Sequence, residues 1–167
     1  MDDSEFWNII DKSSNKTNDQ EEQYENLKDI LKNYESEDII SFNLCFAQKT
    51  NELYRWDLWA VAYIINHGCS DDSFKYFRNW IISRGKDFFN DALIQPKKIG
   101  EVINIDDKIF FKEIGYVADN AYEEKTGEDV PDILDRFPKH PDNPDGDYWE
   151  EEDLEKLYPK LCKKFGW

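Results

Sequence analysis

Between residues 55 and 84 the chain sets Arg55, Asp57, His67, Asp71, Asp72, Arg78 and Arg84 among large aromatic and apolar neighbours. The charges form two clusters of mixed sign, Arg55 with Asp57, and Asp71–Asp72 with Arg78 and Arg84. Paired carboxylates can exchange protons with a substrate or hold a divalent cation. Guanidinium groups in an aromatic-walled cleft can bind a small anionic or amide substrate. Arg55, Asp57, His67, Asp71, Asp72 and Arg78 are therefore the candidate pocket of an enzyme. A structural account competes with it. Asp71 and Asp72 suit the first turn of a helix, where the dipole favours negative charge. A lone buried charge is costly, so Arg55 or Arg78 is expected to be partly buried on a carboxylate, with Asp57 and Asp71 or Asp72 as partners. The structural account is the favoured one.

Other constellations are weaker. His67–Gly68–Cys69 is one H-x-C, with Cys45 and Cys162 far away, whereas zinc sites group their ligands in close pairs. A Cys–His nucleophilic pair needs His67 or His140 to reach a thiol. Asn143, Asp145, Gly146 and Glu152 fit four positions of a calcium loop, but Pro141 stands where the first oxygen ligand belongs. There is no Gly-rich phosphate loop, no G-x-S-x-G and no H-E-x-x-H. No catalytic residue, resident metal or cofactor is assigned.

These residues need a scaffold, and its signals are helical. Phe6, Trp7, Ile9 and Ile10 follow Asp3 or Ser4 as N-cap, and Tyr24, Leu27, Leu31 and Tyr34 mark one apolar face on a charged helix. Ser36 begins a third helix. Trp56–Ile65 is apolar on most faces and reads as the buried central helix, stopped by Gly68. Ser70 caps the next, with Phe74, Phe77 and Ile81 inward. A short helix carries Phe88, Phe89, Ala92 and Leu93 and ends before Pro96. Asp106 is expected to cap a longer one through Ile109, Ile114, Val117 and Ala121 to Gly127. Residues 131–147 hold four of the six prolines and read as a strap anchored by Ile133, Leu134 and Phe137. Residues 148–167 form the C-terminal helix, with Leu154, Leu157 and Leu161 inward, kinked or split by Pro159. No clean strand pattern appears. The expectation is a single compact all-α domain over residues 1–167.

Composition narrows the function classes. With 167 residues, 40% apolar and 16% aromatic, the chain can bury a core and should fold. A net charge of −16 argues against nucleic acid and against anionic membrane, since both attract Lys and Arg. No window nears about 20 uninterrupted apolar residues, and the first ten residues lack a basic leader, so a cytoplasmic protein with reduced thiols is expected. Asp19, Glu21, Glu22, Glu25 and Asp29 crowd one surface helix. They are the candidate face for a basic protein partner, whose association such charge accelerates.

Several of these residues also carry a resemblance. Asp2, Phe6 and Trp7 form D-x-x-x-F-W. Arg55-Trp56-Asp57-Leu58-Trp59, Gly68-Cys69-Ser70-Asp71-Asp72 and Phe74 through Trp80 to Gly85 follow in order. The string is similar to the bacterial family called domain of unknown function 4240, over most of residues 1–130, and Tyr148–Trp149 resemble the family's close. The resemblance implies no activity and transfers no role to any residue. The leading expectation is a non-catalytic interaction protein with an acidic face, in its most concrete form an immunity or antitoxin protein that neutralises a basic toxin. The alternative is the small-molecule enzyme.

Overall fold

Side chains that can take up unpaired backbone N–H groups set the helix starts. In the computed structural model, which describes residues 1–167, Asp2 rather than Asp3 or Ser4 accepts the Glu5 N–H at 2.8 Å and opens α1 (Asp3–Ser14). Asp19 accepts the Glu22 N–H at 2.8 Å to open α2 (Gln20–Leu31), and Ser70 accepts the Ser73 N–H at 3.1 Å to open α5 (Asp71–Ser83). Between them run α3 (Ser36–Glu52) and α4 (Trp56–Asn66). The left-handed residue that ends α4 is His67 at φ 54°, one before the expected stop, and Gly68 N–H closes the turn on Tyr63 O at 2.8 Å.

After α5 come α6 (Lys86–Ile94) and α7 (Pro96–Val102), the latter opened by a proline at its first position, where the missing N–H costs nothing. The helix expected from Asp106 is absent over residues 103–112. Asp107 N–H closes a turn on Asn104 O at 3.1 Å, and the residues after it form no helix because the backbone bonds elsewhere: Phe111 N–H donates to Tyr76 O at 3.0 Å, and Asn79 Nδ2 donates to Phe111 O at 3.3 Å. Helix resumes only in a 3-10 turn at Glu113–Tyr116 and α8 (Val117–Thr126), closed by Gly127 at φ 73°.

No strand forms, and all ten α-helices contribute to one continuous apolar core. Its densest element is α5, packed against α1, α3, α4 and α6, with Phe74, Phe77, Ile81 and Ile82 fully buried. The centre expected at α4 is thus shared. α4 buries Leu58, Ala60, Val61, Ala62 and Ile64, but its Trp56, Trp59 and Tyr63 side is only half covered.

The strap supplies part of that cover. Trp56 N–H donates to Asp145 O and Asp145 N–H to Tyr54 O, both at 2.9 Å, a single bridge that fixes the strap to the start of α4. Ile133 is buried and Phe137 half-buried, but Leu134, expected as an anchor, is 79% exposed. A short 3-10 turn at Leu134–Arg136 rotates it outward. The C-terminal element also differs from one helix over 148–167. Residues 148–150 are not helical, a 3-10 turn spans Glu151–Asp153, and Pro159 splits the rest into α9 (Leu154–Leu157) and α10 (Pro159–Phe165) at Tyr158. The break leaves Leu157 44% exposed while Leu154 and Leu161 stay inward. No helix is long and apolar enough to cross a membrane.

Candidate functional site

The residues nominated from the 55–78 segment do not converge. Arg55 lies at the N-terminus of α4, where Nε and Nη2 donate to the two Asp57 oxygens at 3.2 and 3.3 Å and Nη1 reaches Asp145 of the strap at 3.0 Å. Asp57 also accepts the Leu58 N–H at 2.8 Å. Both line a cavity of about 550 Å³ closed by Tyr148, Trp149, Lys156 and Tyr158. Burial pushes the Tyr158 phenol up to about 12, so it stays protonated at neutral pH. His67 stands at the other end of α4, its Nε2 2.7 Å from Phe165 O and its ring stacked on Trp167. Asp71 accepts from Tyr54 Oη at 3.2 Å, and Asp72 is exposed.

The expected ion pair is present at Arg55 with Asp57 but not at Arg78. Arg78 is 1% exposed, deep in α5, and its hydrogen bonds go to Thr50 O at 2.9 Å and Phe74 O at 3.3 Å rather than to a carboxylate. The guanidinium carbon lies 4.7 Å from the centroids of both the Tyr54 and Phe74 rings. Burial pulls its pKa from 12.5 down to about 10, against the opposing pull of Asp71. Aromatic faces and the carbonyl end of α3 replace the counter-ion. Chemistry on an outside substrate is closed to it.

The three thiols are free, and no three His, Cys, Asp or Glu side chains gather to hold a metal. His67 and His140 each face a backbone carbonyl rather than sulfur.

A different site is built between α2, the 3-10 turn and α8. An open groove of about 870 Å³ has Tyr24, Phe111 and Tyr116 on its floor and walls, and six carboxylates around them: Asp19, Glu21, Glu25, Glu113, Asp119 and Glu123. Lys108 is the one cationic side chain in the lining. Of the five acids nominated on α2, Asp19, Glu21 and Glu25 face this groove. Glu22 instead accepts from Thr17 Oγ1 at 2.9 Å, and Asp29 pairs with Lys32. Lys28 lies 3.1 Å from Glu25 and 2.8 Å from Glu124, so the far end of the groove is partly neutralised. Tyr24 is held by Asn120, and Asn43 donates to Asp119 Oδ1 at 2.9 Å. Burial, then Glu123, raises the Asp119 carboxyl above its usual value. A cleft of one sign focuses its field into the solvent and concentrates cations. Sequence reasoning missed Glu113, Asp119 and Glu123. The pair 119 and 123 stands four apart on one helix face, but nothing in the sequence said that this face meets α2.

The family described as Protein of unknown function (DUF4240) matches residues 1–124. The chain belongs to this family. No curated protein matches it, and no solved structure does. The matched span carries every residue of the acidic groove, from Asp19 to Glu123. The strap, Tyr148–Trp149 and the C-terminal helices lie outside it, so the Arg55 cavity, apart from Arg55 and Asp57 themselves, is built from residues beyond the family match.

Proposed function

We propose that this member of the DUF4240 family is a non-catalytic interaction module that docks a basic protein partner in the groove between α2 and α8, with neutralisation of a basic toxin by an immunity or antitoxin protein as the concrete form. The observation that carries the reading is six carboxylates around an aromatic floor, with Lys108 the one cation in the lining and Lys28 paired to Glu25 at the far end, in a chain of net charge −16. Charge of this kind raises association rates and weakens with salt, while the aromatic floor supplies contact area that salt does not screen. The reading is of a protein that works inside the cytoplasm, where its three thiols stay reduced.

The test is recovery of a partner from cells of the source organism by the immobilised chain at low salt. A basic protein should be retained, be released as salt rises, and be lost when Glu21→Lys and Glu123→Lys are combined. A partner that the double variant still holds, or no partner at low salt, overturns the reading. What weighs against the rival enzyme pocket is that Arg55 and Asp57, His67, and Arg78 occupy three separate surroundings.

A further inference from the structure

The acidic groove does not end at Lys108. The same lysine lines a second groove of about 510 Å³, floored by Trp80 and Phe88 and walled by Val102, Arg84, Asp106 and Asp107. The Trp80 and Phe88 rings meet edge to face at 5.4 Å, and Val102 is 54% exposed beside them. Where the grooves meet, Gln20 Nε2 donates to Lys108 O at 3.0 Å, tying the first turn of α2 to the non-helical 103–112 segment.

Their charges differ. Around the α2–α8 groove six acids outnumber one lysine, whereas in the second groove Arg84 and Lys108 balance Asp106 and Asp107 over aromatic and aliphatic carbon. A polypeptide segment lying along both would gain from cationic side chains on one side of Lys108. Past that ammonium it would gain from uncharged apolar ones, because a cation there meets like charge and no net acid. We propose that the two grooves form one docking track for a segment of the basic partner, its Lys or Arg residues seated between α2 and α8 and an apolar side chain seated over Trp80 and Phe88. This inference rests on the acidic groove being the docking face, and adds to it the polarity of the occupant. Lys108 marks the crossover.

Calorimetric titration of the full chain tests it with three synthetic peptides: six lysines, and the same peptide extended by Gly-Leu-Leu at either end. One extended peptide should bind at least tenfold tighter than six lysines alone. Val102→Asn, at an exposed position and neutral in charge, should remove at least half of that gain and leave the six-lysine affinity unchanged. Glu21→Lys with Glu123→Lys should abolish binding of all three. If neither extension tightens binding, or the gain survives Val102→Asn, the continuous track is wrong while the acidic groove stands. If the double variant still binds an extended peptide, the apolar anchor acts somewhere else and the track is again refuted. If no peptide binds at low salt, the acidic groove itself falls and takes the track with it.

Discussion

Arg78 is a charge held in the core by two aromatic rings and two carbonyl oxygens, and its replacement can be worked through. With the native pKa lowered from 12.5 to about 10 by burial, keeping the charge at neutral pH costs the folded state about 3 kcal/mol relative to an exposed guanidinium. Arg78→Met abolishes that cost and keeps most of the packing of the stem. It gives up a desolvated cation–π contact of about 2 kcal/mol and strands the Thr50 carbonyl near the end of α3, at about 1–3 kcal/mol. These effects nearly cancel, so the methionine variant should lie within about 2 kcal/mol of the wild type. Arg78→Ala also empties the space under Tyr54 and Phe74, which brings its cost to about 4 kcal/mol. For a chain of this size that is a fall of roughly 8–16 °C in Tm. Urea unfolding of the three proteins at pH 7 measures the difference. The sign with pH follows from the lowered pKa. As pH rises through about 10, the native guanidinium loses its proton before the unfolded one does, the penalty shrinks, and the methionine variant should lose ground to the wild type. Equal destabilisation by Met and Ala would refute the reasoning, since the charged contacts rather than the packed stem would then hold the site.

Three other outcomes can be measured directly. Asp119→Asn removes a carboxylate disfavoured by burial and by Glu123, so Tm should rise above wild type at neutral pH while affinity for six lysines falls. Because that carboxyl takes up its proton at higher pH in the native state than in the unfolded one, the Tm difference should close as pH falls through its raised native pKa; an undiminished gap in acid would overturn the assignment. Asp57→Ala, which loosens a partly exposed Arg55, should cost about 1 kcal/mol, and Asp72→Ala nothing beyond scatter, in the same melts. Burial raises all three thiol pKa values, that of Cys69 to about 12. Alkylation of the native protein followed by mass spectrometry should therefore mark the half-exposed Cys45 first and leave buried Cys69 and Cys162 until unfolding.

The helical faces were legible because they depend on local spacing: Leu27 and Leu31, Phe74 and Phe77, and the break at Pro159 all lie where periodicity and proline chemistry place them. The family string was legible for the same reason. What escaped depends on partners distant in the chain. Residues 106–112 carry a helical pattern, yet Tyr76 and Asn79 claim the Phe111 backbone and keep it out of a helix. Arg78 reads as a partly buried partner of a carboxylate until the Thr50 carbonyl and the Tyr54 ring close around it. Half of the acidic groove was visible as the acids of α2. The other half, on α8, faces it only because α2 and α8 pack together some hundred residues apart in the chain.

The cover over α4 has a consequence for how the molecule is made. Trp149 donates to Trp56 O, Tyr158 to Asp57 O, and His67 meets Phe165 O, across sequence separations of 93, 101 and 98 residues. A ribosome adding about 5–20 residues per second delivers those lids roughly 5–20 seconds after the helix they close upon. Throughout that interval Trp56, stacked on Trp59, and Tyr63 have no roof, and the nascent chain presents an aromatic ledge to whatever is nearby. The hazard of a wrong encounter is then set by the pace of translation across residues 67–165, not by how stable the finished protein is.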